Sequence, residues 1–165
     1  MIDVIIRQVK SEDLDKVTEV EAVCFPAAEA ATRESFAQRI ATFPESFFVA
    51  EHNGTIIGFI NGCATDERTI RDEMFEDSSL HNPEGCYQSI FGLDVIPEYQ
   101  RQGIAAKLMK HLIEDAKKKG RRGLILTCKD RLIHYYAKFG YQSLGISASV
   151  HGGAVWYDML LEFEV

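Results

Sequence analysis

The stretch Gln100-Arg101-Gln102-Gly103-Ile104-Ala105-Ala106 carries the strongest chemical signal in this sequence. It follows an apolar run, Ser89 to Pro97, and opens a long amphipathic segment that reaches Lys119. A strand that feeds a small-residue loop and then a helix makes an anion cradle. The first helical N–H groups lack intrahelical acceptors, and the helix dipole is positive there. Gly103 has no side chain and Ala105 only a methyl, so a phosphate can approach the main chain closely. Further along comes His134-Tyr135-Tyr136-Ala137-Lys138-Phe139-Gly140-Tyr141, which groups three phenols around a helix stop. A phenol, with a pKa of about 10, holds a proton at neutral pH and can donate it. No Gly-Lys-Ser/Thr follows the loop, which disfavours nucleoside-triphosphate chemistry.

The elements that must position these residues read as strands and helices in alternation. Val4 and Ile6 mark a first strand. Ser11 can cap a helix with Leu14, Val17, Val20 and Val23 at near-helical spacing. Cys24-Phe25-Pro26 and an Ala-rich run break it, and Thr32 can cap a second helix carrying Phe36 and Ile40. Asn53-Gly54 between β-prone runs predicts a hairpin. Residues 66–85 are polar and acidic, read as a loop with a helical turn near Arg71 to Phe75. Tyr87 to Val95 reads as one central strand, with Tyr87, Ser89, Phe91, Leu93 and Val95 on one face. Gly103 to Lys119 is an amphipathic helix ended by Gly120. Gly123 to Cys128 is a buried-type strand, Arg131 to Phe139 a short helix, and a terminal hairpin surrounds Gly152-Gly153. Such alternation implies a mixed sheet with helices on its faces.

Composition narrows the function classes. The 165 residues suit a single domain spanning 1–165, and 46% hydrophobic content supports a sizeable core. No apolar run reaches the ~20 residues of a membrane span, and the N-terminus lacks the pattern of a signal peptide. The expectation is a cytoplasmic protein with no membrane partner. Four scattered cysteines and five dispersed histidines predict reduced thiols and no metal site. A net charge of -7 argues against a nucleic-acid partner and suits a cationic substrate such as an amine. The basic cluster Lys117-Lys118-Lys119 with Arg121-Arg122 reads as a solvated helix end, with a ligand's ribose phosphate as the alternative partner.

Gln-x-x-Gly-x-Ala after Leu-x-Val-x-Pro, together with Tyr-x-x-Phe-Gly-Tyr at 136–141, resembles the GNAT superfamily of acetyl-coenzyme A-dependent N-acetyltransferases. The resemblance covers nearly the whole chain. It is nearest to the arylalkylamine (serotonin-type) branch, through Glu21-Ala22-Val23-Cys24-Phe25-Pro26, Glu29-Ala30-Ala31 and Cys128 to Tyr136. It implies an α/β (α+β) GNAT fold with a central mixed, mostly antiparallel sheet of about seven strands flanked by about four helices. It also implies acetyl-CoA as cosubstrate and no metal. Leu93, Asp94 and Val95 would line the pantetheine arm, with main-chain bonds from Leu93 and Val95. Gln100, Arg101, Gln102, Gly103, Ile104, Ala105 and Ala106 would hold the pyrophosphate, and Phe139 would pack on the coenzyme. Tyr136 would protonate the leaving sulfur. Phe25 and Pro26 would form a flap over the amine pocket, which Phe91 also borders. In animal members a His-x-His pair relays protons on the central strand; here Ser89 and Phe91 stand in those places.

An alkylamine is mostly protonated at pH 7, so the reaction needs a route for proton removal. Ser89 is the candidate to hold a relay water, with His81 or Glu84 as the base. The expected activity is direct acetyl transfer to the primary amine of a small molecule by a monomer or homodimer. A peptide or protein N-acetyltransferase and a non-catalytic coenzyme A sensor stay open as alternatives.

Overall fold

A computed structural model describes residues 2–164. Among the described residues, nine strands and five α-helices make up the fold. The strands are β1 (Ile5–Gln8), β2 (Phe47–His52), β3 (Thr55–Asn61), β4 (Ala64–Thr65), β5 (Tyr87–Ile90), β6 (Gly92–Val95), β7 (Gly123–Cys128), β8 (Gln142–Ile146) and β9 (Tyr157–Glu162). The helices are α1 (Leu14–Cys24), α2 (Arg33–Thr42), α3 (Glu73–Glu76), α4 (Ile104–Lys118) and α5 (Ile133–Ala137). The mixed, mostly antiparallel α/β architecture is the one expected. It is built as two sheets, ordered β1-β2-β3-β6 and β4-β5-β7-β9-β8, in which only β5 and β7 run parallel.

The division arises at Phe91. Thr65 pairs with Tyr87 and Ala64 with Gln88, but further on Asn61 pairs with Gly92, so the register slips by one residue. Phe91 donates its N–H to the Asn61 carbonyl at 2.7 Å, which leaves Phe91 and Gly92 facing a single partner. This is a β-bulge, and a bulge reverses the alternation of side chains beyond it. Tyr87 and Phe91 pack with Phe43 and Ile70 on one side, whereas Ile90, Leu93 and Val95 pack against α4. The single face expected for residues 87, 89, 91, 93 and 95 is therefore corrected. The bulge also ends the partnership of β5 with β7, so β6 and the C-terminal half of β7 diverge.

Helix α4 buries Leu108, Met109 and Leu112 completely against the two sheets. Each such side chain contributes about 1.5–3 kcal/mol. Its end follows the expected glycine: Gly120 has φ 74°, and Arg121 N–H closes on the Ala116 carbonyl at 3.1 Å. On the other side, α1 and α2 cover β2 and β3 through Val17, Val20, Phe36 and Phe59. Thr32 caps α2 by accepting from Ser35 N–H at 3.1 Å. Ser11 does not cap α1. Residues 11–13 form a 3-10 turn, and the Asp13 carboxylate takes the Lys10 N–H at 2.8 Å and pairs with Arg7. Asn53 and Gly54, with φ of 51° and 79°, make the expected tight hairpin between β2 and β3.

Candidate active site

Strand β6 is an edge. Its inner side bonds β3, with Ile96 N–H on the Ile57 carbonyl at 3.0 Å. In an antiparallel ladder alternate residues bond the partner, so Gly92, Asp94 and Ile96 face β3. The main-chain groups of Leu93 and Val95 then point the other way, into the cleft toward β7. That geometry accepts an extended ligand as an added strand. It also corrects one expectation: the backbone of Asp94 is committed to Phe59, and its side chain turns away from the cleft, so Asp94 does not line a coenzyme arm.

Two positive φ angles shape the turn before α4, 65° at Arg101 and 80° at Gly103. Gly103 is the N-cap, no side chain caps the helix, and Lys107 N–H is the first to bond back, to Gly103. The N–H groups of Ile104, Ala105 and Ala106 are left facing outward at the positive end of the 15-residue helix. Ile104 is buried, so it offers only its main chain. Arg101 is exposed and Gln102 partly so. The Gln100 side chain instead donates to the Val95 carbonyl at 2.9 Å, which ties the loop to the strand end. The basic cluster lies at the opposite end of α4, about 22 Å away at 1.5 Å per residue. Arg121 there holds the Gly85 carbonyl at 2.7 Å, so the cluster does not meet the cradle.

Between β6 and β7 opens a cavity of about 690 Å³. Phe25, Pro26, Phe91, Leu93 and Tyr136 line it, together with Cys24 and Cys128. Tyr136 sits against the rings of Tyr135 and Tyr141. Burial, reinforced by Cys128, Tyr135 and Asp94, pushes its phenol well above the usual range, so it holds its proton at neutral pH. Phe139 is not part of the lining; it packs on Tyr135 and the main core. Burial raises the thiol of Cys128 to about 11 and that of Cys24 to about 12, so both are poor nucleophiles.

Ser89 is fully buried and does not border the cavity. Its hydroxyl donates to the Cys63 carbonyl at 2.8 Å. His81 is also spent on structure: its Nδ1 accepts from Ala64 N–H at 2.9 Å, and Nε2 faces Glu45 at 3.1 Å. Burial lowers its pKa, which keeps it neutral. Neither His81 nor Glu84 reaches the cavity.

The structure adds residues that sequence reasoning missed. Glu29 in the flap pairs with Lys129 at 2.9 Å, and the Glu29 carbonyl meets His151 Nε2 at 2.9 Å. Trp156 Nε1 donates to the His151 carbonyl, and Phe75 stacks on His151 at 4.9 Å. These contacts fasten the flap over an aromatic pocket. Beneath it lies a buried group of Glu21, Asp94, Asn61 and Arg39. Glu21 borders the cavity and takes the Ala31 N–H at 2.8 Å. One signal for it was visible: Glu21 falls on the apolar stripe with Leu14 and Val17, whereas Val23 is exposed.

A main-chain anion cradle, a strand edge with no neighbouring strand and an adjoining cavity thus lie side by side in one cleft. The chain belongs to the acetyltransferase (GNAT) family, whose model matches residues 14–141. Probable hydrolase YhcX of Bacillus subtilis (strain 168) is 29% identical over 143 residues, 81% of this chain and 28% of that protein. Serotonin N-acetyltransferase of Mesocricetus auratus is 27% identical over 107 residues, 64% of this chain and 50% of that protein. The chain thus spans half or less of these curated relatives. A solved GphF GNAT-like decarboxylase in complex with isobutyryl-CoA superposes with TM-score 0.83 at 21% identity, covering 96% of this chain and 98% of that one. Among the described residues no helix is long and apolar enough to cross a membrane.

Proposed function

We propose that this protein is an N-acetyltransferase that uses acetyl-CoA to acylate the primary amine of a small aromatic or apolar molecule. The observation that carries the reading is the roofed cavity beside the free edge of β6. Acetyl-CoA, when bound, supplies a thioester carbonyl open to attack. The N–H groups of residues 104–106 would hold its diphosphate, and the free edge of Leu93 and Val95 its pantetheine arm, with Val95 N–H directed at the thioester oxygen. Phe25, Phe91 and Trp156 offer an apolar, aromatic surface that excludes water from the reacting centre. Tyr136 holds a proton on the same cavity wall as Cys128. The two lining cysteines keep their thiols protonated, which favours direct attack by the amine over a cysteine-borne acyl group.

The experiment is acetyl-CoA consumption over a panel of tryptamine, polyamines, aminoglycosides and peptides. Turnover is expected to be fastest with tryptamine. Preference for peptides would replace the small-molecule reading, and coenzyme binding without turnover on any acceptor would favour a sensor.

A further inference from the structure

The proton route left open by the absent histidine pair has a candidate in the buried group under the flap. A Cβ placed on Gly92 would lie 3.0 Å from Asp94 Oδ1 and 3.6 Å from both Glu21 Oε1 and Asn61 Nδ2. Three side chains from α1, β3 and β6 thus converge beside the residue that precedes Leu93. Four of their polar atoms have no hydrogen-bond partner among the described residues: Glu21 Oε1, Asn61 Nδ2 and both oxygens of Asp94. Asp94 and Asn61 are each 1% exposed. Buried polar groups are almost always paired, so so many orphans at one point call for a cause.

Two ionised carboxylates can only accept, and cannot bond each other. A single proton between them turns one into a donor. Arg39 fixes the count. Its guanidinium is buried, donates to Asn61 Oδ1 at 3.1 Å and to the Phe75 carbonyl at 2.9 Å, and lies over the Phe91 ring at 4.8 Å. Burial lowers it to about 10, which leaves it charged at neutral pH. One cation balances one carboxylate, whereas two would leave a net buried charge. Asp94 takes the proton, because burial and then the neighbouring Glu21 raise its pKa well above the usual carboxyl range, against Arg39. Asp94 lies behind; Glu21 borders the cavity.

We propose that Glu21 accepts the proton of the attacking amine, directly or through one water, and that Asp94 is its positioning residue. The role rests on the transfer reading above. The incoming ammonium gives one proton to the Glu21 carboxylate. The freed lone pair on nitrogen forms the N–C bond, and the C–S bond breaks. The departing sulfur takes a proton from Tyr136, and the second nitrogen proton, lost as the amide forms, restores the phenol. Glu21 passes its proton to solvent, so the net products are amide, free thiol and one proton. Titratable groups around the pair are Cys24 on α1, Arg39 on α2, Cys63 after β3 and Tyr136 on α5.

The test uses the whole chain, with acetyl-CoA and the best amine of the panel. Glu21→Gln keeps the acceptor for Ala31 N–H. It should lower kcat by about 10²–10⁴-fold, the usual worth of a general base, with acetyl-CoA affinity intact. Asp94→Asn should keep most turnover, since its N–H replaces the carboxyl O–H, and Asp94→Ala should lose far more. Infrared spectroscopy gives a readout that needs no acceptor: wild type at pH 7 should show a protonated carboxyl band that disappears in Asp94→Asn. No such band, or wild-type turnover in Glu21→Gln, overturns the proposal. Failure of the wild type to bind acetyl-CoA in calorimetry overturns the transfer reading, and this role with it, even if the band is present.

Discussion

The two walls of the cleft are built from different materials. On one side, β6 and the start of α4 offer main-chain groups: a strand edge with no neighbouring strand and three unbonded N–H groups after Gly103. On the opposite side, α1, the flap, the loop after β7 and the loop before β9 offer side chains: Glu21, Glu29, Lys129, His151 and Trp156. Main-chain recognition depends on backbone shape and tolerates most side chains. Side-chain recognition depends on which residues distant segments bring together. On the proposed function, the first wall holds the coenzyme and the second selects the acceptor.

Tyr136 stands where the walls meet, and the largest effect beyond Glu21 is expected there. Tyr136→Phe removes only the hydroxyl, and the ring contacts with Tyr135 and Tyr141 remain. A lost general acid should lower kcat by about 10²–10⁴-fold with the dissociation constant of acetyl-CoA nearly unchanged. Steady-state kinetics with calorimetry separates the two. Unchanged turnover would strip Tyr136 of its acid role and leave it a packing residue.

Gly103→Val should affect the coenzyme wall alone. At φ 80° a β-branched residue is strained by about 1–2 kcal/mol, and its side chain crowds the anion approach. Coenzyme affinity should fall by about 10-fold or more, with kcat at saturating coenzyme close to wild type. Equal affinity in a folded variant would remove the cradle from the argument. This wall was legible in the sequence because local rules write it: a glycine where φ is positive, small residues at the helix start, an apolar strand before. The same rules placed Thr32, the Asn53-Gly54 turn and Gly120. They failed where one residue altered a register. The bulge at Phe91 is set by pairing with Asn61, and it turned Asp94 toward Glu21. The acceptor wall was illegible for a related reason. Glu29 and Lys129 are 100 positions apart, and no local pattern ties them or joins Glu21 to Asp94.

The smallest effect should come from that distant pair. Lys129 and Glu29 keep about a quarter and a tenth of their side-chain surface exposed, so their attraction is partly screened. Such a pair contributes about 0.2–1 kcal/mol, a few-fold in an equilibrium constant. Lys129→Met keeps the length of the stem while removing the charge, and with it the ammonium that lies 5.7 Å from the centre of the Trp156 ring. Acceptor KM should rise a few-fold, with acetyl-CoA affinity unchanged, because only the flap side is touched. Glu29→Gln should do the same, and the double variant should be no worse than either single one. In a double-mutant cycle that non-additivity measures the coupling between flap and loop directly. Strict additivity would mean that the flap is held by His151 on the Glu29 carbonyl and not by the ion pair, and equal shifts in coenzyme affinity would erase the division between the two walls.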